Sequence, residues 1–278
     1  MGAARVLLTG SSGLLGRRTL ERLRTQGVDV VAVSRRPTAG VDLAVDLLDP
    51  AALDACVRTV RPTIVLHLAW ATSHGSFWTD PANVAWTEAT LRLAMRAEEM
   101  GASAFVGVGT CAEQPGPLEP TLYGVAKTAT RDVLATWAAK RPLRFAWARL
   151  FYVYAEDEPA TKLIASAARA LLAHQTFLAR HPDDVLDFVH ADDVAGALAV
   201  VATSSLAGVI DIGTGEGRRV ADLLTALARL AKAGNVTCDV EPHQPPLQVV
   251  ADTNPLRTIG WSPRVGLEDG LRRVLAYA

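Results

Sequence analysis

Tyr123 and Lys127 stand four residues apart in Tyr123-Gly124-Val125-Ala126-Lys127, a spacing that puts a phenol and an ammonium on one face of a helix. A free tyrosine has a pKa of about 10, too high for rapid proton transfer at neutral pH. A neighbouring ammonium stabilises the phenolate and is expected to lower that value. The pair can then give a proton to a carbonyl oxygen as hydride arrives, or take one in the oxidative direction. By chance alone this spacing is common. Thr110 ends the run Gly107-Val108-Gly109-Thr110 and adds a hydroxyl that could hydrogen-bond the same carbonyl, although strand-end threonines are often purely structural.

A hydride must come from somewhere, and the N-terminal region offers a place for its carrier. Gly10-Ser11-Ser12-Gly13-Leu14-Leu15-Gly16 follows an apolar run and opens a helical one. The first glycine permits a tight turn, the second lets a pyrophosphate approach the backbone, and the third allows close helix–strand packing. The helix start then offers unpaired N–H groups and a positive dipole end. The second apolar run ends in Ser34-Arg35-Arg36, where a site for NAD normally has an acid for the ribose 2′-hydroxyl. A hydroxyl and two guanidinium groups suit a 2′-phosphate instead, so NADP is the expected cofactor. A solvated surface pair is the alternative reading of the two arginines.

Short apolar runs alternate with helix-length amphipathic stretches and place these groups. The runs are 5–9, 28–34, 63–68, 104–109 and 143–150, and the stretches are 14–26, 50–60, 81–100 and 121–140. Apolar strands separated by helices predict a parallel sheet covered on both faces, hence an α/β chain with a Rossmann-type doubly wound sheet. Beyond residue 151 the pattern loosens to helices near 160–173, after Ala191, at 220–232 and at 267–277, with a strand at 209–212. Residues 1–150 are therefore read as the dinucleotide-binding domain. Residues 151–278 are read mainly as a small C-terminal substrate-binding lobe, with some segments returning to the sheet.

Composition sets the outer bounds. The chain has 278 residues, half of them hydrophobic, and a net charge of −1, so no global field favours nucleic acid or an anionic membrane. Cys56, Cys111 and Cys238 have no metal-ligand spacing. No metal is expected, and the odd cysteine count without an apparent leader suits the cytoplasm.

The Gly-x-x-Gly-x-x-Gly spacing resembles that of the short-chain dehydrogenase/reductase family. Glycine loop, Thr110 and Tyr123-x-x-x-Lys127 occur in that family's order. Asp46-Leu47 resembles the pair beside the adenine ring, and His67-Leu68-Ala69 the strand that flanks the cofactor. Arg149-Leu150-Phe151-Tyr152-Val153-Tyr154 is similar to the stretch leading into the substrate loop. Asp187-Phe188-Val189-His190-Ala191-Asp192-Asp193, Asp211-Ile212-Gly213-Thr214-Gly215 and the segment from Ala251-Asp252 to Trp261-Ser262-Pro263 are similar to the extended, sugar-nucleotide-modifying subclass. This implies Thr110, Tyr123 and Lys127 as catalytic residues. It implies the glycine loop, Ser34, Arg35, Arg36, Asp46, Leu47, Leu68 and Ala69, with Tyr123 and Lys127, as cofactor contacts. His67 and His190 are read as structural, and Phe151, Tyr152 and Tyr154 as core.

The resemblance also narrows the reaction. Dehydratases of this kind carry an Asp-Glu pair directly after the catalytic Thr, where this chain has Cys111-Ala112. Thr110-Cys111-Ala112-Glu113, with Trp70 and His74-Gly75-Ser76-Phe77-Trp78 upstream, resembles the branch that reduces dTDP-4-keto-6-deoxysugars. The expectation is therefore an NADPH-dependent 4-ketoreductase acting on a dTDP-sugar. Alternatives are an epimerase that retains NAD, a reductase of a non-nucleotide carbonyl compound, and a catalytically silent NADP-binding regulator. Two departures stand out. Leu186 occupies the place of an arginine that contacts substrate diphosphate, and Glu241-Pro242-His243-Gln244-Pro245-Pro246 lacks another; Lys162, Arg169 or Arg180 could substitute. A homodimer through the helices containing Leu91–Met100 and Ala129–Ala139 is compatible with their apolar character, as is burial within one chain.

Overall fold

The computed structural model describes residues 4–72, 75–114, 120–238 and 245–278. His74 and Glu241–Gln244 lie outside the described residues, as does 115–119 between Thr110 and Tyr123. The amino-terminal half alternates β1 (Arg5–Thr9), α1 (Leu14–Thr25), β2 (Asp29–Ser34), β3 (Leu43–Ala44), α2 (Pro50–Val60), β4 (Ile64–His67), α3 (Ala82–Glu99), β5 (Ala104–Thr110), α4 (Leu122–Ala138) and β6 (Arg144–Leu150). Next come β7 (Tyr152–Tyr154), α5 (Leu163–Leu172), β8 (Thr176–Ala179), β9 (Val185–Leu186), β10 (Phe188–His190), α6 (Ala191–Thr203) and β11 (Gly208–Ile212). The chain closes with β12 (Arg218–Arg219), α7 (Val220–Ala231), β13 (Asn235–Cys238), β14 (Gln248–Val249), α8 (Asn254–Arg257) and α9 (Leu267–Tyr277).

The main sheet has seven strands in the order β11-β6-β5-β4-β1-β2-β3. β1 pairs in parallel with β2 and β4, and β2 with β3 and β4 with β5 likewise. The order reverses at β1: chain order runs outward through β2 and β3 on one side and through β4, β5 and β6 on the other. That is the switch point of a doubly wound sheet, where the carboxyl ends of neighbouring strands leave a crevice.

Alternation along the strands explains the two covered faces. Leu7, Val65, Phe105, Phe145 and Trp147 join one core with Leu53, Val57 and Val60 of α2, Leu93 and Ala97 of α3, and Leu134 and Ala138 of α4. Their neighbours Val6, Leu8, Leu66, Val106, Ala146 and Ala148 are equally buried but point the other way, the side on which α1 meets β1 and β2. Local chemistry sets the helix starts. Asp49 caps α2 by accepting from the N–H groups of Ala51 (2.8 Å) and Ala52 (3.3 Å), with Pro50 in the first turn. Thr121 caps α4 by accepting from Gly124 N–H at 3.1 Å. Both arrangements satisfy donors that an isolated helix leaves orphaned.

Contacts divide the chain into two compact units. The first takes Met1–Gln114, Pro120–Arg149 and Ala195–Ile210. Within it, Arg144 donates to the carbonyls of Val201 (3.2 Å), Ala202 (2.8 Å) and Leu206 (2.7 Å), satisfying acceptors at the end of α6. The second unit includes Leu150–Val194 and Asp211–Ala278. Its core gathers Ile164, Ala168 and Leu171 of α5, Leu223, Leu224 and Leu227 of α7, and Leu271 and Val274 of α9. Its small sheets are β7 with β10, β8 with β13, and β9 between β12 and β14. Strands of two to four residues carry too few alternations to register as a period-two pattern, so these small sheets are not legible from sequence.

Candidate active site

In the glycine loop, Gly10 and Gly16 are sterically required. Gly10 has φ +70°, and a Cβ there would lie 2.7 Å from the Ala69 nitrogen. A Cβ on Gly16 would lie 2.0 Å from the Gly10 carbonyl oxygen. Gly13 caps α1 with no side-chain acceptor, so the first amides of the helix have no side-chain partner at the cap. Ser11 is tied to β2, its N–H (3.1 Å) and hydroxyl (3.0 Å) both donating to the Val33 carbonyl. The Ser12 and Ser34 hydroxyls share a 2.6 Å hydrogen bond, so Ser34 is engaged by the loop itself. These features fit a dinucleotide: a tight glycine turn packed closely against the residues after β4 and set at a helix start.

Around the loop, sequence-predicted contacts fall into different environments. Arg35 and Arg36 are exposed and make no ion pair among the described residues. Asp46 is exposed and accepts from Leu48 N–H at 3.0 Å, forming a local turn, whereas the Leu47 side chain is buried in the core. Leu68 and Ala69 lie against Gly10. Beneath them His67 bridges Thr9 (Nδ1, 2.7 Å) and Thr90 (Nε2, 2.9 Å). Thr90 already donates to the Trp86 carbonyl at 2.7 Å, so it must accept from Nε2–H, and Nδ1 accepts from Thr9. His67 is thus a neutral structural link, and burial followed by the Lys127 charge pushes its pKa down to about 3.

Thr110, Tyr123 and Lys127 converge at the carboxyl end of β5 and the start of α4. The Thr110 hydroxyl accepts from Ala112 N–H (3.3 Å) and lies close enough to the Tyr123 phenol to favour its ionised form. Tyr123 is buried, with Phe77 and Trp78 edge-on to its ring at 4.9 and 5.8 Å. Lys127 is also buried; its ammonium donates to the Val108 carbonyl at 2.7 Å and lies 3.7 Å from the centroid of the Trp70 ring. The expectation that Lys127 lowers the phenol's pKa is overturned here. Burial pushes Tyr123 well above its ordinary value, opposed by the Thr110 hydroxyl. Burial likewise brings Lys127 down to about 7, with the Glu113 charge opposing. Desolvation exceeds the pairwise attraction because the ammonium is directed to a carbonyl and an indole face.

A buried acid behind Thr110 was not singled out by sequence reasoning. Glu113 accepts from Thr110 N–H (2.7 Å), from Trp147 Nε1 (3.0 Å to each oxygen) and from Arg131 (2.9 Å). The glycines of β5 make room for it: a Cβ on Gly109 would lie 2.1 Å from Trp147 Nε1 and 2.3 Å from a Glu113 oxygen. The available signal was the alternate pair Gly107 and Gly109, which demands a large neighbour on the adjacent strand.

Comparison with known proteins bears on this geometry. The family described as "NAD dependent epimerase/dehydratase family" matches residues 6–213. The chain belongs to that family. A UDP-glucose 4-epimerase of Rhizobium meliloti (strain 1021) is 26% identical, the match covering 94% of this chain and 93% of that protein. The dTDP-6-deoxy-L-talose 4-dehydrogenase (NAD(P)(+)) of Kitasatospora kifunensis is also 26% identical, over 98% and 94%. The solved UDP-glucose 4-epimerase of Thermus thermophilus, in complex with NAD, superposes with a TM-score of 0.82 at 25% identity, covering 98% of each chain. The α/β Rossmann-type fold and the extended short-chain dehydrogenase/reductase character stand on these findings. So does a nicotinamide dinucleotide enzyme of the nucleotide-sugar epimerase/dehydratase kind.

Within this member of the epimerase/dehydratase family, the motifs of the second unit tie together at one carboxylate. Asp187 is fully buried and accepts from Thr214 N–H (2.8 Å), the Thr214 hydroxyl (2.6 Å), Gly215 N–H (2.8 Å) and Ala251 N–H (3.2 Å). Gly213 must lack a side chain, since its Cβ would lie 2.5 Å from an Asp187 oxygen. His190 is buried and bonded to Glu156 at 3.0 Å and to Asp192 N–H at 3.2 Å, a structural setting. Phe151 and Tyr154 are core residues, and Tyr152 is partly buried. Leu186 is in the hydrophobic core. Lys162 lies 3.8 Å from Glu158, a buried acid whose pKa burial raises to about 7. Among the described residues no group of His, Cys, Asp and Glu could hold a metal ion, and no helix is long and apolar enough to cross a membrane.

Proposed function

We propose that this protein is an NADPH-dependent ketoreductase acting at C4 of a dTDP-4-keto-6-deoxyhexose. The observation that carries the reading is the pair of exposed guanidiniums, Arg35 and Arg36, directly beyond β2, which make no ion pair among the described residues. A 2′-phosphate would replace water around both with charge-assisted bonds, and an enzyme that exchanges NADPH at each turnover is a net reductase. The glycine loop, Leu68 and Ala69 would hold the dinucleotide, with Asp46 and the Leu47 backbone beside the adenine and Lys127 on the ribose. When bound, that cofactor supplies the hydride. Tyr123, which burial keeps protonated, gives its proton to the ketone oxygen. Thr110 donates a hydrogen bond to the same oxygen. Cys111 and Ala112 supply no acid–base pair for eliminating water.

The similarity to the Kitasatospora 4-dehydrogenase supports this choice, and a small, odd number of cysteines, Cys56, Cys111 and Cys238, supports a cytoplasmic location. We extend the proposal to a homodimer through α3 and α4, whose Met95 and Val133 are exposed although Leu93, Ala97, Leu134 and Ala138 are used within the chain. The similarity to UDP-glucose 4-epimerases favours a second reading, an epimerase that keeps NAD. Leu186 in the core favours a third, a carbonyl substrate without a nucleotide. Titration of the purified protein with NADPH and NADH, followed by fluorescence, separates the first two. Reversible NADPH binding with weak NADH binding is expected, together with reduction of a dTDP-4-keto-6-deoxysugar that Tyr123→Phe abolishes. NAD that copurifies and does not exchange would overturn the reductase.

A further inference from the structure

We infer that Glu113 is a positioning residue of this site: one buried carboxylate fixes the backbone of Thr110 and supplies negative charge close to the Lys127 ammonium. The inference rests on reading Thr110, Tyr123 and Lys127 as the reacting group. Geometry carries it. The Glu113 side chain is fully enclosed, and its two oxygens take four hydrogen bonds from three elements: Thr110 N–H on β5, Trp147 on β6 and Arg131 on α4. A carboxylate so anchored cannot follow a substrate or leave for solvent. Its Thr110 bond closes a capping box, because the Thr110 hydroxyl caps the same turn, Cys111–Glu113. Direction of the Thr110 side chain is therefore decided by Glu113.

The electrostatic role follows from what surrounds Lys127, whose nitrogen lies 5.8 Å from the centroid of the Trp147 ring that donates to Glu113. The titratable and charged groups near it are His67 on β4, Cys111 and Glu113 on the turn after β5, and Tyr123 and Arg131 on its own helix. His67 is neutral and Tyr123 is protonated. Arg131 is occupied by Glu113 and Asp132. Glu113 is thus the acid whose charge favours the ammonium against desolvation. An amide in its place would keep the size of the side chain, lose the charge, and face the N–H donors of Trp147 or Arg131 with a donor of its own.

The test needs no substrate, so it is independent of whether the protein reduces ketosugars. The chain has four lysines, and ¹³Cε-labelled lysine resolves each by NMR, with Lys127→Arg assigning the signal. Wild-type protein is expected to titrate Lys127 near 7. Glu113→Gln should lower that midpoint by about one pH unit or more, a roughly tenfold change in the ammonium-to-amine ratio. An unchanged or raised midpoint would overturn the inference, since a purely structural residue has no reason to move this proton. Should Glu113→Gln not fold, Glu113→Asp keeps the charge but withdraws it by a methylene. Hydrogen exchange at the Thr110 amide should then quicken about tenfold while the Lys127 midpoint stays within about half a unit. Unchanged protection, or a midpoint that falls with the charge still present, would refute it.

Discussion

Lys127→Met should make this protein more stable near neutral pH and abolish its pH-dependent stabilisation, while destroying the proposed activity. Burial brings the Lys127 pKa from 10.5 down to about 7 in the folded state. The folded value lies below the unfolded one. Between pH 7 and 10 the unfolded chain therefore holds more protons, and stability rises with pH at about 1.4 kcal/mol per unit. Keeping the ammonium buried at low pH costs about 5 kcal/mol by the same relation, already net of its bonds to Val108 and Trp70. Between pH 7 and 8.5, allowing for half-protonation at the start, wild type should gain roughly 1–2 kcal/mol relative to Lys127→Met. The upper limit of the window avoids Cys56, whose pKa burial raises from 9.0 to about 11 and which acts in the opposite direction above pH 9. The assay is urea unfolding of both proteins at pH 7, 7.5, 8 and 8.5, compared as a difference so that all other groups cancel. Parallel stability curves with no convergence as pH rises would refute the reasoning. So would a variant less stable than wild type at pH 7.

Three further outcomes follow from the same structure. Arg35→Ser and Arg36→Ser should each weaken NADPH binding by about 10- to 100-fold, the equivalent of one charge-assisted bond, with NADH binding unchanged in the same fluorescence titration. Gly16→Ala should abolish dinucleotide binding or unfold the first unit, because its Cβ would enter the Gly10 carbonyl at 2.0 Å; calorimetry with NADPH reads both. Asp187→Ala should cost about 3–5 kcal/mol of stability, because four hydrogen bonds to Thr214, Gly215 and Ala251 lose their shared acceptor. Chemical denaturation monitored by tryptophan fluorescence measures it.

The sequence displays the Rossmann-type sheet because its strands and helices are long enough to show: β1, β5 and β6 as apolar runs, α1 to α4 as amphipathic stretches. It also determined which residues meet at β5 and α4, since Thr110 ends a strand, and Tyr123 and Lys127 share a helix face. Tertiary structure decided what those residues experience. Spacing predicts that Lys127 acidifies Tyr123, but burial raises the phenol and leaves the ammonium on Val108 and Trp70. Desolvation depends on everything packed around a group, and no local spacing encodes it. The same holds for Glu113, whose partners Trp147 and Arg131 are 34 and 18 residues away. It holds too for Asp187, which reaches across 27 and 64 residues to the backbone it secures. Those contacts form only when distant segments fold against one another, so a carboxylate that the sequence shows only as one member of a motif becomes the fixed point of a site.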